Sequence, residues 1–190
     1  MWKTMSGFRD LRQVPFGYSL ILKHVKPEKL TPRSALEKLT VYCRYQERCH
    51  SEVREKLASY GVFGKDADEI TARLIEEDFL NEERFAIQFA GGRFRIKKWG
   101  REKIAYALRK KGISPWCVQR ALKEIGGDDY EQTFEKMARQ QLSRVSGVPG
   151  WMRKKQKVFA ALRSRGFEPE RISRYLAEAE KQEKKGKKKS

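Results

Sequence analysis

The sequence predicts an all-α protein in which three tandem three-helix units, each similar to a helix-turn-helix, stack into an elongated and curved body. Two observations predict this fold class. Apolar residues at spacings of three and four recur along the chain, and a glycine followed by an apolar residue closes each copy of the pattern. Such spacing is typical of one buried helix face, and such a glycine is typical of a helix end.

The internal repeat is clearest between residues 101–125 and 155–179, which align after a shift of 54 positions. Gly112 then matches Gly166, and each glycine follows an amphipathic segment. The other matched pairs are Ile104 with Val158, Ala107 with Ala161, Leu108 with Leu162, Ile113 with Phe167, Val118 with Ile172, and Leu122 with Leu176. A shift of 51 brings in an earlier copy, in which Gly61 matches Gly112 and a three-residue insertion precedes Ile70 and Leu74, so we expect three units.

The repeat and the helix-start signals divide the chain. Ser34 with Glu37 is a candidate capping box. Ser114–Pro115 and Glu168–Pro169 place proline at a favoured first position of a helix. The expected segments are an irregular N-terminal arm (1–32), three repeats (33–80, 81–127 and 128–180) and a disordered basic tail (181–190).

The two ends of the chain lack the helical pattern. In the arm, the alternation of Tyr18, Leu20 and Leu22 permits a short strand, and a loose arm is equally compatible. The tail, KQEKKGKKKS, contains six lysines and one glutamate. Because it cannot bury apolar surface, we expect it to be disordered.

Charge is the strongest compositional signal. The chain has 43 Lys plus Arg against 25 Asp plus Glu, a formal net charge of +18. This excess predicts attraction to a polyanion or to an acidic protein surface. Residues 93–111 hold nine bases and one acid, and residues 139–165 hold eight bases and no acid, whereas residues 61–83 hold eight acids and two bases. The basic charge is therefore segregated.

The basic positions also follow the repeat. The alignment pairs bases of the second unit with bases of the third: Arg101 with Lys155, Lys103 with Lys157, and Arg109 with Arg163. The same positions of the first unit hold His50, Glu52 and Ala58. We therefore expect a basic face in the second and third units that the first unit lacks. The interleaved aromatic residues could pack in the core or stack on bases or a partner: Phe94, Trp99, Tyr106 and Trp151.

The sequence carries no recognised set of catalytic or metal-binding residues. It has no phosphate-binding loop, no dinucleotide-binding glycine motif and no nucleophile elbow. His50 and Glu52 have the HxE spacing of zinc deaminases, but the PCxxC that this site requires is missing. Cys43 and Cys49 do not converge with His50 into a tetrahedral set. We expect no catalytic residue, no metal and no cofactor.

The cysteine content and hydropathy indicate a cytoplasmic protein. The chain has three cysteines, an odd number without the dense spacing of a disulfide framework. Residues 18–25 are too few to span a bilayer and include Lys23 and His24. We expect a reducing compartment and no membrane association.

Residues 34–180 resemble the RecX family. The most specific segment is FLNEERFA, beginning at Phe79, followed by a basic stretch and then by GREKIAYALRKKGI, beginning at Gly100. The order and spacing of these pieces carry the resemblance. It implies three-helix repeats, no catalytic activity, binding in the groove of the RecA–DNA filament, and inhibition of ATP hydrolysis and strand exchange by RecA. Within FLNEERFA, Arg84 could pair with the acidic run or contact a partner.

The resemblance and the charge pattern together give a candidate set of residues that contact RecA and single- and double-stranded DNA. Its members are Arg93, Arg95, Lys97, Lys98, Arg101, Lys103, Arg109, Lys155, Lys157 and Arg163. We expect the protein to be a monomer. Two alternatives remain open from the residues alone. One is a stand-alone DNA-binding protein that uses a basic helical face on phosphate, and the other is a structural adaptor without a nucleic-acid role.

Overall fold

The structure is a computed structural model, and it describes residues 29–187. Within this range the chain forms nine α-helices and no strand, which confirms the all-α fold class. In chain order they are α1 (Pro32–Tyr45), α2 (His50–Ser59), α3 (Gly64–Glu76), α4 (Glu82–Lys97), α5 (Arg101–Lys110), α6 (Pro115–Lys123), α7 (Gly127–Arg144), α8 (Trp151–Ser164) and α9 (Pro169–Lys187). The predicted arm over residues 1–28, with its optional strand, and residues 188–190 of the predicted tail lie outside the described residues.

The helices pack in three consecutive groups, which we call unit 1 (α1–α3), unit 2 (α4–α6) and unit 3 (α7–α9). In unit 1 the three helices all contact one another. In unit 2, α6 packs along α4 and both contact α5, and in unit 3, α8 lies against both α7 and α9. The helices of each unit thus contact one another, as the repeat predicts.

A glycine joins the second and third helices of every unit, as the repeat predicts. Gly61, Gly112 and Gly166 have φ angles of +73°, +79° and +86°. The residue after each glycine is buried and donates its N–H to the carbonyl five residues earlier, in the pairs Val62 to Leu57, Ile113 to Leu108 and Phe167 to Leu162. This is the Schellman pattern, so the three glycines are confirmed as helix ends.

One helix start differs from the prediction. Helix α1 begins at Pro32, and Thr31 is its cap, with the Thr31 hydroxyl accepting the N–H of Ser34 at 3.3 Å. The proline forces the residue before it into an extended conformation and itself suits the first helical position, so the cap falls three residues before Ser34. Helix α2 begins at His50, and the cap is Cys49, whose N–H donates to Glu52 at 3.4 Å.

The apolar residues form two separate cores. Unit 1 has its own core, made of Ala35, Leu39, Cys43, Val53, Leu57, Val62, Ile70, Leu74 and Leu80. Units 2 and 3 share one larger core, in which the Phe167 ring contacts the tilted ring of Tyr130 and, edge-to-face, the ring of Phe134. Cys49 is the residue of unit 1 that reaches into this shared core.

The predicted tail is helical over most of its length. Helix α9 continues to Lys187, whereas the sequence predicts disorder from residue 181. Two ion pairs extend into this region: Glu180 with Lys184 at 2.8 Å along α9, and Lys154 of α8 with Glu183 at 3.6 Å. The basic composition therefore did not prevent a helix, because acidic partners lie one turn away and on the neighbouring helix.

Candidate nucleic-acid and partner interface

Part of the candidate contact set lies at the two junctions between the units. At the junction of units 2 and 3, the first turn of α5 meets the turn between α8 and α9. The N–H of Gly100 donates to the carbonyl of Arg165 at 2.8 Å, and the N–H of Glu102 donates to the carbonyl of Gly166 at 3.1 Å. A Cβ on Gly100 would lie 2.1 Å from the Gly166 oxygen. Only glycine allows this approach of backbone to backbone.

Tyr130 stands at the centre of the same junction. Its hydroxyl accepts the N–H of Arg101 at 3.1 Å and donates to Glu168 at 2.9 Å. Burial raises the pKa of Tyr130 far above its ordinary value, and the charge of Glu168 raises it further, so the phenol remains a donor. The guanidinium of Arg101 lies 4.3 Å from the centre of the Tyr130 ring and donates to the carbonyl of Ile125 at 3.1 Å.

Two further members of the predicted set hold this junction together. The ammonium of Lys103 donates to the carbonyl of Ser164 at 2.9 Å, and the guanidinium of Arg163 pairs with the carboxylate of Glu102. Together with Arg101, these bases take structural positions between units 2 and 3. Part of the basic pattern that follows the repeat therefore has an internal partner.

The junction of units 1 and 2 uses the same places in the repeat with different chemistry. The hydroxyl of Ser51, in the first turn of α2, donates to the carbonyl of Lys111 at 3.0 Å. The ammonium of Lys111 pairs with Glu52 at 2.7 Å. Burial alone would lower the pKa of Lys111, but the hydrogen bond and charge of Glu52 outweigh it and raise that pKa. At the junction of units 1 and 2, the contacts are thus made by the side chains of Ser51 and Glu52. At the junction of units 2 and 3, they are made by the main chain of Gly100 and Glu102.

Arg84 also has partners within the protein. Its guanidinium donates to Glu47 at 2.6 Å and to Asp78 at 3.0 Å. The hydrogen bond to Glu47 is the main cause that raises the pKa of Arg84 above its ordinary value. Of the two roles that the sequence left open for Arg84, the structure supports the ion-pair partner.

A groove of about 530 Å³ runs along the unit 1–unit 2 junction and is lined by α2, α4 and α5. We call it the aromatic–basic groove, and its walls are Ser51, Glu52, Glu55, Phe89, Arg93, Trp99, Lys103, Tyr106, Ala107, Lys110 and Lys111. The Arg93 guanidinium lies 4.9 Å from the centre of the Phe89 ring and 5.1 Å from that of Trp99. Lys103 lies 4.9 Å from the Trp99 ring. Tyr106 is 65% exposed at the groove.

The remaining predicted bases lie elsewhere. Arg95 and Lys98 line a second groove, between α4 and α7, whose wall includes Asp129 and Lys136. Lys97 and Arg109 are exposed on α4 and α5, Lys157 is exposed on α8, and Lys155 beside it is partly buried. Lys97 also lines a third groove, with Gln46 and Glu47 on its other side. The ten predicted residues therefore divide among an internal junction, three grooves and open surface.

The aromatic residues also divide. Phe94 is buried in the shared core and contacts Tyr130, Trp99 and Trp151 are partly buried, and Tyr106 is exposed. The sequence prediction omitted Lys110 from the contact set, although Lys103, Tyr106 and Lys110 recur at helical spacing and lie along one face of α5. That spacing could have identified the groove wall.

Among residues 29–187, no group of three His, Cys, Asp or Glu side chains could hold a metal ion. Burial raises the pKa of the Cys43 thiol to about 11, so it is not a reactive thiolate. Among the described helices, none is both long enough and apolar enough to cross a bilayer.

Comparisons with known proteins identify relatives of one kind. Residues 81–122, which include all of α4, α5 and most of α6, match the family described as RecX, second three-helix domain. A regulatory protein RecX from Prosthecochloris aestuarii is 30% identical over 146 residues, which cover 77% of this chain and 93% of the relative. One from Lactobacillus gasseri is 28% identical over 136 residues, 72% of this chain and 50% of the relative. The chain thus spans about half the length of that Lactobacillus protein.

Two solved structures have the same fold. The crystal structure of RecX from Lactobacillus salivarius has a TM-score of 0.69 at 24% identity and covers 77% of this chain and 95% of that one. A crystal structure of regulatory protein RecX has a TM-score of 0.70 at 21% identity, with 77% and 71% covered. The fold agrees with these structures, and the extent and identity of the Prosthecochloris match decide the assignment: this chain belongs to the RecX family of regulatory proteins.

Proposed function

We propose that this protein is a non-enzymatic negative regulator of the RecA recombinase, which binds in the groove of the RecA–DNA filament in the cytoplasm and inhibits ATP hydrolysis and strand exchange. Membership of the RecX family is the observation that carries this proposal. The net charge of +18 supports it, because a filament groove that contains DNA attracts a basic protein.

The exposed bases of units 2 and 3 support the same proposal. Arg95, Lys97, Arg109 and Lys157 are exposed, and they extend over three helices of two successive units. Stacked units with bases on several helices can contact more than one subunit of a polymer at once. Arg101, Lys103 and Arg163 are poorer candidates for direct contact, since each already has a partner at the junction of units 2 and 3.

The test is the DNA-dependent ATPase activity of RecA at increasing amounts of this protein. We expect inhibition well below one molecule per RecA subunit, and no ATP hydrolysis by the protein alone. Three variants each remove two charges: Arg95→Gln with Lys97→Gln, Arg109→Gln with Lys157→Gln, and, as the control in unit 1, Arg33→Gln with Lys65→Gln. Each lost contact costs about 0.5–2 kcal/mol, so the first two variants need at least about fivefold more protein for half-inhibition. The control variant should inhibit like the parent.

A competition experiment separates this proposal from that of a stand-alone DNA-binding protein. Excess single-stranded DNA should not fully restore RecA activity if the protein binds the filament itself. Complete restoration of RecA activity would mean that the protein only coats DNA. In that case its affinity for DNA should fall steeply as the salt concentration rises. An unchanged RecA rate at every ratio would contradict the regulatory proposal altogether.

A further inference from the structure

We propose that the aromatic–basic groove is a subsite for one nucleotide of a single-stranded nucleic acid, with the base stacked on Tyr106 and the adjoining phosphates held by Lys110 and Arg93. This inference rests on the proposed function and names the part of the filament's DNA that the groove would take. The contacts of α5, α4 and α2 carry it.

The side of the groove formed by α5 has the composition of a stacking platform. Lys103, Tyr106 and Lys110 lie on one face of this helix, and Ala107 between them is small and leaves space above the helix. Tyr106 is 65% exposed although it is a large ring on an otherwise amphipathic helix. An exposed aromatic ring with the exposed Lys110 one turn away suits a base and its adjoining phosphate.

The rear of the groove is held in place by ring contacts. Arg93 lies over Phe89 and Trp99, and Lys103 lies over Trp99 while its ammonium donates to Ser164. These contacts fix the two cations before any ligand arrives, which lowers the entropy cost of binding. The rings of Phe89 and Trp99 are engaged by these cations, so Tyr106 is the ring of the groove that is left to stack on a base.

The acidic residues of the opposite wall favour a nucleotide over an acidic peptide. Glu52 is paired with Lys111, while Glu55 is exposed and lies across the groove from α5. The base of a nucleotide has amino or imino groups that can donate hydrogen bonds to a carboxylate such as Glu55. The phosphates of the same nucleotide can face the cations on the other wall. A peptide rich in carboxylates would meet Glu55 as a like charge. The volume of about 530 Å³ also lies in the range of small-ligand pockets, roughly 300–1,000 Å³.

A single strand fits this site better than a duplex. Stacking on Tyr106 requires the face of a base to be free, and bases within a duplex already stack on their neighbours. The groove therefore predicts discrimination between single-stranded and double-stranded DNA that charge alone does not give.

The test measures binding of a labelled short oligodeoxythymidylate by fluorescence anisotropy, with no RecA present and at one fixed salt concentration. The probes for comparison are an abasic oligonucleotide of the same length and a duplex. We expect Tyr106→Ala to weaken binding of the oligodeoxythymidylate by about 5- to 100-fold and to leave abasic and duplex binding unchanged. Tyr106→Phe should bind like the parent, because the ring is retained. Trp116→Ala is the matched control, since Trp116 is 64% exposed and lies outside the groove.

The outcomes distinguish this inference from the proposed function. If Tyr106→Ala binds the oligodeoxythymidylate like the parent, the groove is not a base-stacking site. The proposed function survives that result as long as the parent protein inhibits RecA. If that variant loses RecA inhibition but keeps oligonucleotide binding, the groove takes a protein segment and the inference is overturned. Equal loss with the abasic probe would show a general effect on charge or fold, and this too would contradict base stacking.

Discussion

At the junction of units 2 and 3, Gly100 lies against Gly166, and main-chain hydrogen bonds join the two segments. In the repeat alignment Gly100 matches Cys49, which lies at the junction of units 1 and 2. The thiol of Cys49 is buried in the shared core and lies 3.2 Å from the Ser51 hydroxyl, and the contact to the next unit passes to the side chains of Ser51 and Glu52. One repeat position therefore gives a backbone contact in one copy and a side-chain contact in the other.

This difference has an energetic meaning. Partly exposed ion pairs are screened by salt, and both junctions have one, since Arg163 pairs with Glu102 between units 2 and 3. Only the junction of units 2 and 3 adds main-chain hydrogen bonds and a large shared apolar core, which depend little on salt. The Lys111 and Glu52 side chains are 30% and 23% exposed. Units 2 and 3 should therefore respond to perturbation as one body, and unit 1 should separate from them more easily at high ionic strength.

The largest expected effect comes from filling the space between the two glycines. A Cβ on Gly166 would lie 2.3 Å from the Lys103 Cβ, and the φ of +86° adds backbone strain. Gly166→Ala should lower the free energy of unfolding by about 2–4 kcal/mol. Gly112→Ala, with a φ of +79° and open space around the added atom, should lower it by only about 1 kcal/mol. Urea denaturation of both variants checks the pair, and equal losses would contradict the close approach.

The next effect is expected at the ionic junction. Glu52→Gln removes the partner of Lys111 and should cost about 1–2 kcal/mol at low salt, with a smaller cost at high salt. Lys111→Met and the double variant complete a cycle that isolates the pair. Urea is uncharged, so denaturation can be followed at several salt concentrations. A cost that does not change with salt would mean that the pair contributes through packing alone.

A smaller and opposite effect is expected at Lys98. This residue ends α4 in a left-handed conformation, with a φ of +53°. Glycine adopts that conformation with less strain, so Lys98→Gly should raise the free energy of unfolding by about 0.5–1 kcal/mol. If the charge of Lys98 serves filament binding, the same variant should inhibit RecA less. Thermal melting and the ATPase assay check the two effects separately.

The smallest effect concerns pH. Burial works to raise the pKa of Glu82, but the hydrogen bonds from Ser114 outweigh it and hold that pKa below its ordinary value. The main-chain N–H of Ser114 donates to the Glu82 carboxylate at 2.6 Å, and His50 of unit 1 lies 3.7 Å from the same group. A depressed carboxyl pKa gives stability that is present above the unfolded pKa and lost as the pH falls through the folded one. Glu82→Gln should therefore flatten the acid limb of the stability curve, and an unchanged limb would contradict this role.

The fold could be predicted because its signals are local. Gly112 and Gly166 end helices through the conformation of their own backbone, and the apolar residue after each is buried as the pattern indicates. The cap of α1 failed as a prediction because Ser34 and Thr31 are both good caps, and Pro32 decides between them. Proline favours the first position of a helix, so the residue directly before Pro32 is the expected cap.

The contact set was harder to predict because the partner of a base can be far along the chain. Arg101 turns onto Tyr130, 29 residues later, and Lys103 donates to Ser164, 61 residues later. Charge and periodicity are the same for a base that faces solvent and for one that crosses a junction. The aromatic–basic groove likewise joins residues of three helices from two units, which no single stretch of sequence displays.

The separate core of unit 1 has a consequence for the order in which the protein is made. Residues 32–80 contain every member of that core, so unit 1 can complete its packing while the rest of the chain is still leaving the ribosome. Unit 2 cannot do the same, since Phe134, Phe167 and Leu176 of unit 3 complete its core. Nascent α4–α6 should therefore expose apolar surface until α9 has emerged, and this interval is when chaperones would bind the chain.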